Sequence, residues 1–263
     1  LYAATWQRQR TLPACVGTGP GSAIHTSEDG GETWRKLTNG LPEADMGKIG
    51  LAISKLDPDV VYAAIELNQR KGGVYRSANQ GASWEKMSDE VGGGTGPHYY
   101  QEMFADPHRF DRIYMVSNYS KYSDDGGKTW TPFNLKNKHV DDHAMAFHPT
   151  DKNFMLVGSD GGVYETRDDM KKWRFQGNLP IAQFYKIAVD DSKPFYYVYG
   201  GTQENSSQGG PSRTTKEHGI KNNDWFLILW GDGHQPATEP GNPDIVYGQW
   251  QQGNLARYHR KTG

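Results

Sequence analysis

The sequence predicts an all-β chain, a β-propeller of four-stranded antiparallel blades, and three observations predict it. A short box running from Ser27 to Trp34 (SEDGGETW) returns from Ser77 to Trp84 (SANQGASW) and from Ser123 to Trp130 (SDDGGKTW), with a worn copy from Thr166 to Trp173 (TRDDMKKW). The four tryptophans stand 50, 46 and 43 residues apart, a period that belongs to propeller-like arrays. A Pro turn leading into an apolar strand keeps the same beat: Asp57-Pro58 before Val60 to Ala64, Asp106-Pro107 before Ile113 to Val116, and His148-Pro149 before Phe154 to Val157. The third observation is a Gly-Gly-Val-Tyr strand start before the Trp box, at Gly72 to Tyr75 and again at Gly161 to Tyr164. Aromatics make up 12% of the chain and glycines number 32, which suits short strands joined by tight turns, and helical periodicity is absent almost everywhere.

Taken in order, each unit reads strand, Pro turn, strand, Gly turn, strand, Asp/Gly turn, short Trp strand, which is one blade. Leu1 to Trp6 matches only the strand that follows a Pro turn, so a partial blade is expected over 1–44. Further blades are expected over 45–95, 96–137, 138–180 and 181–229, with a partial one from 230. The expected propeller is therefore incomplete, about five blades with both ends inside a blade. Open sheet edges invite pairing, so this chain is expected to belong to a larger protein or to meet a partner protein along its cut edges. The domain expectation is 1–201 as the later blades of a propeller, 202–224 as a long polar loop or connector, and 225–263 as a further blade or the start of a second propeller.

Composition narrows the function. The formal net charge is −2, with Lys+Arg 29 against Asp+Glu 31, so no basic excess points to nucleic acid. Mean hydropathy is −0.82, and no stretch approaches the ~18 apolar residues of a membrane span. Cys15 is the single cysteine, which excludes an intrachain disulfide. Leu1 reads as a cut end, so the original address signal is expected to be lost from this sequence. No Ser sits in a Gly-x-Ser-x-Gly elbow, and the glycine run from Gly92 to Gly96 lacks the Lys of a phosphate loop. No cofactor is expected.

In the boxes, the side chains of Asp29, Asn79 and Asp125 can cap the amides of their own turns. Glycine supplies the positive φ, and Trp34, Trp84, Trp130 and Trp173 can fill the space between neighbouring blades. A calcium reading of Asp124-Asp125 or Asp168-Asp169 fails because the ligand spacing of a calcium loop is missing.

This box resembles the Asp box, or BNR repeat, found in sialidases, xyloglucanase-type glycoside hydrolases, the sortilin luminal domain and a photosystem assembly factor. The whole chain resembles large secreted bacterial BNR-repeat proteins of the "glycosyl hydrolase" or "sortilin-like" type. That likeness rests on Gly47 to Ile53 (GKIGLAI), Tyr99 to Glu102 (YYQE), Lys138 to Ala144 (KHVDDHA), Gly200 to Asn205 (GGTQEN) and Gly209 to Arg213 (GGPSR). The resemblance implies a parent chain far longer than this one and a secreted, periplasmic or cell-surface location. The Arg-Ile-Pro signature and arginine triad of sialidases are not recognisable, and the cysteine-rich module that follows the sortilin propeller is absent.

The strand before each Pro turn is expected to be innermost and to line the channel, with ligands met at one mouth. Its residues are unusually polar and aromatic: His98, Tyr99, Tyr100 and Glu102; His139, Asp141, Asp142 and His143; Gln183 and Tyr185; and Asp232 with His234. A purely structural strand reads more like Ile49 to Ile53. Gln203 and Asn205 in the polar stretch join this ligand-binding set, and that stretch either folds over the mouth or connects two propellers. His139, Asp141 and His143 alternate and are expected to share one strand face. A span of about 13 Å from first to last argues against all three binding one metal ion, while two of them could share an ion with help from another blade. Ligand contacts and a structural polar network both remain open.

Glycoside hydrolysis requires two carboxyls about 5–5.5 Å or 6.5–9.5 Å apart. Glu102, Asp141 and Asp232 are the catalytic candidates, with Asp142 and Glu204 beside them. Two functions follow: a non-catalytic module or scaffold that binds a glycan or polypeptide at its channel mouth, or a glycoside hydrolase using a carboxylate pair there.

Overall fold

The computed structural model describes residues 1–68, 71–92, 101–179 and 182–263. Among them there is no α-helix. The chain separates into two compact units, Leu1–Gly177 and Asn178–Gly263.

The first unit holds four consecutive blades. Strands β1 (Tyr2–Thr5), β4 (Ala23–Thr26) and β5 (Arg35–Lys36) form a three-stranded sheet, with a hairpin of β2 (Gln9–Arg10) and β3 (Cys15–Val16) between β1 and β4. Three four-stranded meanders follow. They are β6 (Met46–Ile53), β7 (Val61–Leu67), β8 (Gly72–Ser77) and β9 (Glu85–Ser88); then β10 (Glu102–Ala105), β11 (Ile113–Val116), β12 (Lys121–Ser123) and β13 (Thr131–Pro132); then β14 (Asp142–Phe147), β15 (Met155–Ser159), β16 (Gly162–Thr166) and β17 (Arg174–Phe175). The second unit has β18 (Phe184–Val189), β19 (Tyr197–Thr202), β20 (Ser207–Pro211) and β21 (Phe226–Leu229), then a three-stranded sheet of β22 (Ala237–Glu239), β23 (Asn242–Trp250) and β24 (Asn254–His259). The sheets match the blade spans read from the sequence. Leu1 to Trp6 indeed supplies a second-position strand, since β1 pairs with β4 as β7 pairs with β8.

The core of the first unit lies between blades. Trp84 packs on Ile24 and Leu37 of the preceding blade. Trp173 stacks on Phe133 at 5.9 Å, in a cluster with Tyr114 and Val116. Trp130 packs against a third cluster and donates to Ser88 Oγ at 3.2 Å. A single small sheet cannot enclose a core by itself, so each leans its apolar face on the next. Trp34 stays 44% exposed.

The repeated turns are built as their residues dictate. Ser123 Oγ donates to Asp125 Oδ1 at 2.7 Å, Gly127 N donates to Ser123 Oγ at 2.8 Å, and Thr129 donates to the carboxylate through N at 2.9 Å and Oγ1 at 2.6 Å. Asn79 substitutes for Asp with the same acceptor, taking Ser83 N at 2.9 Å. Gly127 needs its glycine, with φ 98°. The worn copy lacks glycine, and Asp169 and Met170 take positive φ instead, at 58° and 64°.

Register sorts the turns onto two ends of each blade. In the third blade, Ala105 pairs with Ile113 and Ile113 with Ser123, so the Pro turn and the Asp125 turn share one end. Glu102 pairs with Val116 at the other end. The second and fourth blades repeat this pattern.

One expectation is corrected here. Residues 202–224 are not a structureless loop, because Ser207–Pro211 form β20, paired with β19 and β21. The strand escaped detection because its sequence, Ser-Gln-Gly-Gly-Pro, has no apolar face. Its glycines let rings lie across it: a Cβ on Gly209 would stand 2.7 Å from the Tyr199 ring, and one on Gly210 2.4 Å from Trp225.

Candidate functional site

The non-Pro-turn end of the blades collects most of the candidate residues. In the first unit, the connections into β10 and β14 and the turns after β7, β11 and β15 lie there. His98, Tyr99 and Tyr100 fall outside the described residues. Gln101 is buried with φ 100°, and its Oε1 accepts Gly92 N at 3.0 Å. Inner strands approach closely at this point: a Cβ on Gly50 of β6 would meet Gln101 O at 1.9 Å. Glu102 opens β10, and its Oε1 accepts Lys48 Nζ from β6 at 2.9 Å. Its Oε2 is buried without a hydrogen-bond partner among the described residues.

His139, Asp141 and His143 do not share a strand face, contrary to their alternation. Asp141 has φ 61°, and β14 begins only at Asp142. The turn is pinned by three backbone bonds: Asp141 N to Asn118 O at 3.1 Å, Asp142 N to Ser117 O at 3.0 Å and Asp160 N to Asp141 O at 3.1 Å. Side chains then pair locally. Asn118 Nδ2 donates to Asp141 Oδ1 at 2.5 Å, His143 Nε2 meets Asp160 Oδ1 at 2.8 Å, and His139 Nδ1 meets Val140 O at 2.8 Å.

Asp142 does something the sequence did not suggest. Its carboxylate forms a buried ion pair with Lys138, the two side chains being 1% and 0% exposed. Ser120 Oγ donates to the other carboxylate oxygen at 2.7 Å. The ammonium also donates to His139 O at 2.9 Å and lies 5.5 Å from the Tyr164 ring and 5.4 Å from the Trp173 ring. Burial pushes the Asp142 carboxyl up and the Lys138 ammonium down, each opposed by the partner's charge. This carboxyl is sealed away from any ligand. Lysine four residues before an aspartate looks like a solvated pair in the sequence, so nothing there betrays it.

The second unit carries an open cleft of about 350 Å³ at the corresponding end of its blades. Tyr185 of β18, Asp232 and His234 of the connection before β22, and Gln249, Trp250 and Gln251 at the end of β23 line it. Asp232 and His234 therefore precede the inner strand instead of lying on it, and Gln183 lies just before β18. The Tyr185 and His234 rings stand 5.9 Å apart, and the Tyr185 hydroxyl donates to Gln203 Oε1. Asp232 is held on both oxygens: Oδ1 accepts Glu204 N at 2.8 Å, and Oδ2 accepts Gln251 Nε2 at 2.9 Å. Asn205 Nδ2 bonds Gln203 O at 3.1 Å, closing its own turn. Sequence reasoning missed Gln249, Trp250 and Gln251. The signal was an aromatic flanked by amides at a strand end, Gly248-Gln249-Trp250-Gln251-Gln252-Gly253.

Blades of this construction, with inter-blade cores and residues of different blades gathered at one end, define a β-propeller. The family model described as "Sortilin-Vps10: Sortilin, neurotensin receptor 3" matches residues 72–209, and the chain belongs to that family. It is similar to the oligoxyloglucan-reducing end-specific xyloglucanase of Emericella nidulans, 25% identical over 170 residues that cover 57% of this chain and 20% of that protein. Among solved structures it resembles the Niastella koreensis GH74 enzyme (12% identity, TM-score 0.47, 87% of this chain and 38% of that one). It also resembles the GH74 xyloglucanase from Xanthomonas campestris (16%, TM-score 0.45, 91% and 41%) and YCF48 bound to D1 peptide (12%, TM-score 0.43, 93% and 73%). The chain thus spans about a fifth of the curated relative and about two fifths of the two GH74 enzymes. Among the described residues no helix is long and apolar enough to cross a membrane.

Proposed function

We propose that this chain is a binding module that takes a glycan or polypeptide at the end of its blades opposite the Pro turns and does not itself turn the ligand over. The observation that carries the reading is the cleft of the second unit, where the rings of Tyr185, His234 and Trp250 alternate with Asp232, Gln249 and Gln251. Flat apolar faces next to fixed donors and acceptors suit a sugar ring or an extended peptide. The candidate carboxylates support binding over catalysis. Glu102, Asp141 and Asp232 each accept fixed hydrogen bonds. A glycosidase acid needs a raised pKa and contact with the sugar; the carboxyl that burial raises, Asp142, is enclosed. The reading goes with a secreted, periplasmic or cell-surface location, where such ligands are met.

The second reading, a glycoside hydrolase using a pair drawn from Glu102, Asp141 and Asp232, is favoured by the identity to a xyloglucanase. Calorimetric titration with neutral oligosaccharides and unstructured peptides separates the two. Saturable heat that Tyr185→Ala or Trp250→Ala weakens, without new reducing ends, supports the module. New reducing ends that vanish in Glu102→Gln, Asp141→Asn or Asp232→Asn would establish the hydrolase.

A further inference from the structure

The Pro-turn end of the second unit carries a second cleft, of about 630 Å³, that the reading above does not use. Val189 pairs with Val198 at this end of the blade, whereas Phe184 pairs with Thr202 at the end near Tyr185. The two clefts are therefore separated by most of the length of β18.

Four cations line this cleft: Lys193 from the β18–β19 connection, Arg213 just past β20, and Arg260 and Lys261 just past β24. Two carboxylates line it as well, and both are already engaged. Asp244 accepts Arg260 Nη2 at 3.1 Å and Lys261 Nζ at 2.5 Å, while Asp224 accepts Lys216 Nζ and Lys221 N. The bond from Lys261, and next that from Arg260, holds the Asp244 carboxyl below the usual range; Lys216 does the same for Asp224. Both therefore stay ionised and remain spent on these partners. Lys193 and Arg213 are exposed and have no ion-pair partner among the described residues.

Prolines and aromatic rings supply the apolar part of the lining. Arg260 lies 4.4 Å from the Tyr197 ring and 3.6 Å from buried Asp190, which fixes its guanidinium in place. Phe226 stands 6.1 Å from Tyr197. Pro194, Pro211 and Pro243 complete the lining. Proline has no N–H, so these three positions offer no amide to the carbonyls of an extended peptide. They do offer C–H faces on which a pyranose ring can lie, with cations left over for its acidic substituent.

We propose that this cleft binds an acidic saccharide, a sugar chain bearing uronate carboxylates or sulfate esters, with its rings on the proline and aromatic walls and its anions on Lys193 and Arg213. A guanidinium engages either anion through two parallel N–H bonds. The site is independent of the neutral-ligand cleft at the other end of the unit.

The test is titration of the full chain with four probes: a sulfated uronate octasaccharide, an oligogalacturonate, a neutral xyloglucan oligosaccharide and hexaglutamate. The double variant Lys193→Glu/Arg213→Glu is compared with Lys193→Arg/Arg213→Lys, and melting curves check that both fold. The acidic saccharides should bind wild type, more tightly at low salt. They should bind the charge-reversed variant at least about tenfold more weakly and the conservative variant within about threefold of wild type. Whether the sulfated or the uronate probe binds more tightly names the anion. Tyr185→Ala should leave acidic binding unchanged, so failure of the neutral-ligand reading would not resemble failure of this one. Three results would overturn the proposal: neither acidic saccharide binds, charge reversal leaves their affinity unchanged, or hexaglutamate binds more tightly than both.

Discussion

Replacing one partner of the Lys138–Asp142 pair probes how the first unit fixes its fourth blade. Both side chains are at most 1% exposed, and the ammonium is enclosed by Tyr164 and Trp173. Lys138→Met leaves an uncompensated carboxyl in an apolar pocket, and Asp142→Leu leaves an uncompensated ammonium. Either should cost about 3–5 kcal/mol, since a lone buried charge loses its partner but keeps its desolvation penalty. For a unit of this size that is a fall of roughly 6–20 °C in melting temperature. The double variant Lys138→Met/Asp142→Leu should come back to within about 1 kcal/mol of wild type, because two apolar groups of similar volume remove both penalties. The pH dependence of the single variants should be opposite. In Lys138→Met, the carboxyl raised by burial contributes most to stability when it is protonated, so the penalty shrinks below pH ~4 and grows toward neutrality. In Asp142→Leu, the depressed ammonium is least costly when neutral, so the penalty shrinks as pH rises toward ~10. Calorimetric melts, with amide exchange in β14 and β15 to localise the effect, read both. Single variants that cost under ~1 kcal/mol, or a double variant that loses the sum of the two, would refute the reasoning.

The other predictions are smaller. Asp125 is raised by burial but drawn down further by the Thr129 hydroxyl, the Thr129 and Lys128 amides and the Ser123 hydroxyl, to about 2. Its contribution is thus complete above pH ~4 and lost as pH falls toward 2. Asp125→Asn should remove that acid-dependent step while costing no more than about 1 kcal/mol at neutral pH, as Asn79 shows that the amide caps the same turn. Tyr114→Phe removes a donor, at 2.7 Å, from the buried carboxylate of Asp106 and should cost about 1–3 kcal/mol by urea titration. Trp250→Ala should weaken ligand binding in the second unit by roughly tenfold or more without moving the melting temperature of the first.

The blades were legible because their defining features are local. A Ser-x-Asp-x-Gly-x-Thr-Trp turn is specified by residues that bond one another within seven positions, and its spacing counts blades directly. The site was legible in composition but not in conformation. His139, Asp141 and His143 alternate in sequence, yet the positive φ at Asp141 is imposed by backbone bonds to Asn118 and Asp160, which are distant in the chain. β20 was hidden because its glycines serve neighbouring rings instead of a hydrophobic face. Lys138 looked like any surface lysine until Trp173 and Tyr164 closed around it. Trp250 was not singled out, because its role as a cleft wall depends on Tyr185 of another blade.

The measurement that bears most directly on the binding account is one titration in which heat and reducing ends are followed in the same sample. Purified chain is titrated with neutral oligosaccharides and, separately, with unstructured peptides. The account predicts saturable heat with at least one ligand, lost in Trp250→Ala and unchanged in Asp141→Asn, with no product formed. Product that accumulates with time and disappears in Glu102→Gln, Asp141→Asn or Asp232→Asn would contradict it.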